Sequence, residues 1–236
     1  MKMSLFFIVA YVLCVNIGTA ISAQFKMPYL GQIILLVVLC AVLLYLCKKQ
    51  NLLAKIGFTK IGLKDFKENL FYAPLIIMVL MNGVFFFDTP KLAHDVFTIV
   101  AFMALVAFLE EVLFRGLLFK AIEERKSTKA AVIISGLTFG FGHIVNLLNG
   151  YTGIAQIIQI VLAVVIGIVL SLLFVRTKSI VPGIVFHFFF NLASVLSIEV
   201  EPFYDYINVG IILVMAFFYL LYFYKTWGKS IQGGVG

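Results

Sequence analysis

Apolar residues run almost unbroken through eight stretches of the chain, at about 4–23, 29–47, 70–87, 95–119, 130–148, 154–175, 179–197 and 207–224, with short polar clusters between them. A helix needs about 20 apolar residues to cross a hydrocarbon core of roughly 30 Å. The pattern therefore predicts about eight transmembrane helices and an all-α, polytopic integral membrane protein. The first and third runs are the weakest, interrupted by Asn16, Gly18 and Thr19 in one and by Asn82 and Gly83 in the other. No internal repeat or low-complexity tract divides the 236 residues, which read as a single membrane domain, 1–236. Composition agrees: 63% of residues are hydrophobic and 12% charged, where a soluble domain is closer to half and a quarter.

The net charge of +7 raises the possibility of a nucleic-acid partner, but the placement of the bases gives it a topological cause. Basic residues mark the cytoplasmic side of a membrane. With the N-terminus inside, fifteen of the eighteen Lys and Arg fall in cytoplasmic segments: Lys2; Lys48, Lys49, Lys55, Lys60, Lys64 and Lys67; Lys120, Arg125, Lys126 and Lys129; Arg176 and Lys178; Lys225 and Lys229. Outer loops keep only Lys26 and Lys91, and the loop 198–206 carries Glu199, Glu201 and Asp205 without a base. The expectation is a multi-pass protein of the cell membrane, N-in and C-in, with no nucleic-acid partner. Lys2 and the AISA preceding Gln24 also allow the first run to be read as a cleaved signal peptide. Segment 48–69, which mixes apolar residues with lysines, is expected along the cytoplasmic interface, or as a solvated loop. GYTG at 150–153 reads as a turn. Cys14, Cys40 and Cys47 show no metal-ligand spacing and read as packing residues.

Against this background a few ionisable groups stand out inside the spans: Glu110, Glu111 and Arg115 in the fourth, His143 in the fifth and His187 in the seventh, joined by the uncharged Asn191. A charge at the bilayer centre costs about 2.5 to 3.5 kcal/mol on the insertion scale, so such groups face the bundle interior and mark function. Counting about 1.5 Å per residue from the cytoplasmic edge puts all of them at one level in the cytoplasmic half, where a wet cavity is expected to open inward. Glu111 and Arg115 are four apart and pair as a structural ion pair. Glu110 points about 100° away from Glu111 and is left to face the cavity. Ser135, Gly136, Gly140 and Gly142 let another helix approach closely. His94, at the outer boundary, is given no role.

A carboxylate, two imidazoles and an amide around a wet cavity can hydrolyse a peptide bond without a serine or cysteine nucleophile. Glu110 acts as general base on a water positioned by His143, and His187 and Asn191 donate to the developing oxyanion from one helix face. Glu110, His143 and His187 are also legitimate zinc ligands, although there is no HExxH.

EEVLFR, FGFGH and HFFFN resemble the three motifs of the CAAX-protease and bacteriocin-processing family of intramembrane endopeptidases, EExxxR, FxxxH and HxxxN, in order on separate spans. The resemblance covers roughly 52–196. It implies Glu110 as the water-activating glutamate, His143 as its partner, and His187 and Asn191 as oxyanion stabilisers. Glu111, Arg115 and Phe139 fill the remaining motif positions as supporting residues. Family members have been described both as metalloproteases and as glutamate proteases; the reading here needs no cofactor, with zinc as the alternative. Their substrates are prenylated CaaX proteins or, in bacterial relatives, pheromone or bacteriocin precursors. The resemblance thus implies a membrane-associated peptide or protein substrate, entering from the cytoplasm or laterally. Two other classes compete: a non-catalytic bacteriocin-immunity or scaffold protein, and a proton-coupled transporter, because buried Glu and His also form proton relays.

Overall fold

A computed structural model describes residues 1–59, 72–83, 95–149, 153–198 and 201–232, with the side chains of 148, 149, 202 and 226–232 outside that description. Its elements are helical: α1 (Lys2–Phe25), α2 (Leu30–Lys49), α3 (Ala73–Met81), α4 (Val96–Glu111), a π-helical stretch Val112–Phe119 running into α5 (Lys120–Glu123), α6 (Thr128–Gly142), a 3₁₀ stretch His143–Asn149, α7 (Gly153–Thr177), α8 (Val181–Leu196) and α9 (Pro202–Gln232). The all-α expectation holds. Among the described residues six helices are long and apolar enough to cross a membrane: α1, α2, the continuous run Val96–Glu123, α6 with its 3₁₀ extension, α7 and α9.

Two of the eight expected spans are shorter. Helix α8 has sixteen residues, about 24 Å at 1.5 Å per residue. It starts only at Val181, with Pro182 in its first turn, where a missing N–H costs nothing. Residues 178–180 before it form a turn tied to the 50–59 segment. Helix α3 has nine residues, and the rest of the expected span 70–87 lies largely outside the described residues, as do His94 and residues 150–152 of the GYTG turn.

Polar residues that interrupt the first apolar run are the ones that pair α1 with α2. A Cβ on Gly18 would lie 2.6 Å from Gln32 Cα, so the two backbones touch. Ser22 donates to the Gln32 side chain, the Gly31 N–H donates to Ser22 Oγ (2.9 Å), and Gln32 Nε2 donates to Thr19 (3.2 Å). Helices α6 and α7 use the same device. Cβ atoms on Gly136 and Gly140, one turn apart, would sit 2.9 Å from Ile168 N and 2.6 Å from Val164 N, the close approach that small residues permit between membrane helices. Gly142 has nothing near its missing Cβ and faces a cavity instead of a helix.

The described part of the expected interfacial segment turns into protein, not lipid. Ile56 is buried, and the Gly57 carbonyl accepts from the Ile180 N–H at 3.0 Å. Ser179 donates to the Thr59 carbonyl, and Thr59 Oγ1 to that of Lys178, both at 3.1 Å. Gly57 has φ +93° and lies against the Phe174 ring, a position where only glycine is unstrained. Residues 60–69 lie outside the described part.

Two departures from α-geometry bear on the chemistry. After Glu111 the helix widens to π, a form frequent at functional sites. There the Phe114 carbonyl accepts from buried Ser135 at 2.9 Å, and Gly116 packs on Ile56. After Gly142 the chain tightens to 3₁₀, and the His143 carbonyl accepts instead from Gln156 Nε2 of α7 at 2.9 Å.

Candidate active site

The last two residues of α4 carry the carboxylates, and the π stretch that follows carries their cation. Arg115 is 0% exposed. Its Nη1 donates to Glu111 Oε1 at 2.6 Å and its Nη2 to the Gly167 carbonyl of α7 at 3.1 Å. Its guanidinium carbon stands 4.5 Å over the centre of the Phe139 ring. The expected Glu111–Arg115 pair is present, and it is anchored to two other helices. Gly183 of α8 makes room for it: a Cβ there would lie 2.8 Å from Glu111 Oε2.

His187 joins the two glutamates. Its Nδ1 is 3.1 Å from Glu111 Oε1 and its Nε2 is 3.4 Å from Glu110 Oε2. On the other side Glu110 Oε1 accepts from the Tyr11 hydroxyl of α1 at 2.8 Å. The result is a continuous buried row, Arg115, Glu111, His187, Glu110, Tyr11, drawn from the α4–π element, α8 and α1.

Glu110 also lines a cavity of about 310 Å³ with Tyr11, Phe114, Phe139, His143, Asn146 and Asn191, among others. The structure therefore gathers Glu110, His143 and Asn191 on one cavity, as expected. His187 is not among its lining residues. It stands behind Glu110, its Nδ1 bonded to Glu111 Oε1 and its Nε2 at 3.4 Å from Glu110 Oε2. His143 Nδ1 is 3.2 Å from the Phe139 carbonyl. A carbonyl only accepts, so Nδ1 carries the proton and a neutral ring keeps Nε2 as an acceptor. Phe139 separates the two imidazoles, edge-on to both at 5.4 and 5.6 Å between centroids.

Depth counting placed the group in the cytoplasmic half with a cavity opening inward. Glu110 is fourteen residues from the start and thirteen from the end of the run Val96–Glu123, or about 21 and 20 Å at 1.5 Å per residue, which is midway. The cavity extends from Glu110 towards the start of α4 (Phe102, Met103), the 3₁₀ stretch (Asn146), the start of α7 (Gln159) and the end of α8 (Ser194). These are the helix ends opposite those that carry Lys2, Lys49, Arg125, Lys129 and Lys178.

Tyr11 and Ser135 acquire a part in the site that spacing did not reveal. A phenol in the middle of an oily helix needs a partner once buried, and that is the signal Tyr11 offers. As for zinc, the three residues named for it do not form a ligand set. Among the described residues no group of three or more His, Cys, Asp or Glu is arranged to hold a metal ion, and the Nδ1 of His187 is bonded to Glu111.

No curated protein and no solved structure matches the chain. Residues 92–193, which hold all seven motif residues from Glu110 to Asn191, match the family model described as type II CAAX prenyl endopeptidase, Rce1-like.

Proposed function

We propose that the protein is an intramembrane endopeptidase that hydrolyses a peptide bond with a water activated by Glu110, maturing a membrane-associated peptide such as a pheromone or bacteriocin precursor. The observation that carries this reading is the Glu110 carboxylate, which lies on the same cavity as His143 and Asn191 and is held by Tyr11 on the cavity wall and by His187 behind it. The water binds between Glu110 and His143 Nε2. Glu110 takes its proton as the oxygen adds to the scissile carbonyl carbon. The Asn191 amide donates to the oxyanion that forms. Collapse of the tetrahedral intermediate breaks the C–N bond, and the proton passes from Glu110 to the leaving amine. His187 acts through Glu110, placing its carboxylate from the side away from the cavity. No step needs a metal.

The test is mass spectrometry of membrane peptides from cells carrying intact protein, Glu110→Gln or His143→Ala. The expected result is a product lost in both variants at normal protein levels. A peptide pool unchanged by Glu110→Gln, with cellular function retained, refutes the protease reading and leaves the scaffold or immunity reading.

A further inference from the structure

Where α6 gives way to the 3₁₀ stretch, one change of backbone winding decides how the His143 ring is held. In α-geometry the His143 N–H would donate to the carbonyl four residues back, that of Phe139. Here it turns to the Gly140 carbonyl, three residues back, as the tighter 3₁₀ winding requires. The Phe139 carbonyl is released to accept from the ring Nδ1 at 3.2 Å. That bond keeps the proton on Nδ1 and leaves the Nε2 lone pair free, since the partner of one ring nitrogen fixes the state of the other.

The switch of winding is held from α7. Close packing of Gly136 on Ile168 and of Gly140 on Val164 sets an antiparallel register that, carried past Gly142, brings residues 143–146 to the first turns of α7. There Gln156 Nε2 donates to the His143 carbonyl at 2.9 Å. Three residues on, Gln159 accepts from the Asn146 amide at 3.1 Å, so two neighbours on one face of α7 grip the start of the 3₁₀ stretch. Gln156 is 4% exposed, and its Oε1 has no hydrogen-bond partner among the described residues. An orphaned buried acceptor is a cost that a leucine or methionine at this position would avoid, which argues against a residue kept for stability alone. Gln156 belongs to none of the three motifs and is not among the residues that line the cavity.

We infer that Gln156 is a positioning residue for His143: by taking the His143 carbonyl it holds the 3₁₀ turn that frees the Phe139 carbonyl, and so keeps the ring proton on Nδ1 and Nε2 as the acceptor. The tautomer follows from the geometry; its effect on turnover rests on the protease reading, in which Nε2 places the water.

The test is nitrogen-15 NMR of the full chain labelled at histidine, in detergent micelles at about pH 8, above the ordinary imidazole range. On the same proteins the unfolding midpoint is measured, and kcat and KM on the peptide found by mass spectrometry. The chain has three histidines, and His143→Ala identifies the His143 signals by their loss. In the parent the expected ring carries its proton on Nδ1 with Nε2 bare. Gln156→Met keeps the length of the side chain without its donor; the form protonated on Nε2 should become the larger population. With it kcat should fall by about tenfold or more, the scale of losses when a hydrogen-bond partner behind a metal-binding histidine is removed, while KM and the midpoint stay nearly unchanged. Gln156→Asn, whose amide is one methylene short of the carbonyl, should behave in the same way and serves if the methionine variant does not accumulate. A parent ring with its proton on Nε2, or with both nitrogens protonated, overturns the inference, and so does a variant that keeps the Nδ1 proton. A shifted tautomer with unchanged kcat, a lowered midpoint with tautomer and kcat unchanged, or failure of both variants to accumulate assigns Gln156 to folding and overturns it too. The tautomer shift with no proteolytic product from any of the proteins leaves the hold on His143 standing and removes the protease reading.

Discussion

Replacing Arg115 by methionine tests whether the buried row is held by its ion pair. Methionine keeps the apolar length of the side chain but removes the bonds to Glu111 Oε1 (2.6 Å) and the Gly167 carbonyl (3.1 Å) and the cation over Phe139 (4.5 Å). Glu111, 1% exposed, is then left with His187 as its only partner. Breaking a buried pair by removing one member costs about 3 to 5 kcal/mol, and the cation–π contact belongs to the same loss and is not added to it. At 1.4 kcal/mol per decade, that is roughly a 150- to 4,000-fold shift towards the unfolded state. Glu111→Gln alone should cost a similar amount, because it strands the guanidinium. The double variant Arg115→Met with Glu111→Gln removes both charges and should recover about 2 kcal/mol or more of the summed loss. Reversible unfolding in mixed micelles with increasing sodium dodecyl sulfate, followed by circular dichroism, measures all three. An Arg115→Met protein within about 1 kcal/mol of the parent, or a double variant whose loss equals the sum of the singles, refutes the reasoning.

Three other outcomes follow from the same geometry. Tyr11→Phe removes the one hydrogen bond that Tyr11 donates to Glu110, a contact worth about 1.5 to 3 kcal/mol of stability; beyond that loss kcat should fall with KM nearly unchanged, whereas a purely structural role would lower the unfolding midpoint and spare kcat of the folded protein. Gly140→Val pushes a side chain into the α7 backbone, where even a Cβ would meet Val164 N at 2.6 Å; neither helix can yield locally, so a loss of about 3 kcal/mol or failure to accumulate is expected on immunoblots of membranes. Prolonged chelation of purified, active protein should leave turnover unchanged, and activity lost to chelator and restored by zinc would contradict the metal-free step.

Parts of the site were legible because they are local. Glu111 and Arg115 announce their pairing by a four-residue spacing, and Gly136 and Gly140 announce a close helix contact by theirs. The position of Glu110 on a cavity with His143 and Asn191 was also accessible, since three polar groups in oily helices have few other places to go. What remained hidden depends on distant partners. Tyr11 reaches Glu110 across 99 positions of sequence, and the widening of the helix after Glu111 goes with a hydroxyl on α6 bonded to one of its carbonyls. The shortness of α8 was hidden for a related reason: its lead-in residues are apolar enough for lipid, but their backbone is bonded to the 50–59 segment.

The adjacent glutamates are not interchangeable, and the structure says why. Glu111 Oε1 already accepts from Arg115 and faces His187, while its Oε2 is directed at the space left by Gly183. To serve as the base, Glu111 would have to leave a fully buried cation and swing out of a slot only as wide as a glycine. Glu110 is held more lightly, by a phenol that donates one hydrogen bond and an imidazole at 3.4 Å, and it faces the cavity. One carboxylate is thus committed to neutralising Arg115, and through His187 it fixes the placement of the other. Three charges inside a membrane helix are tolerable because two of them neutralise each other, and the third lies on the cavity.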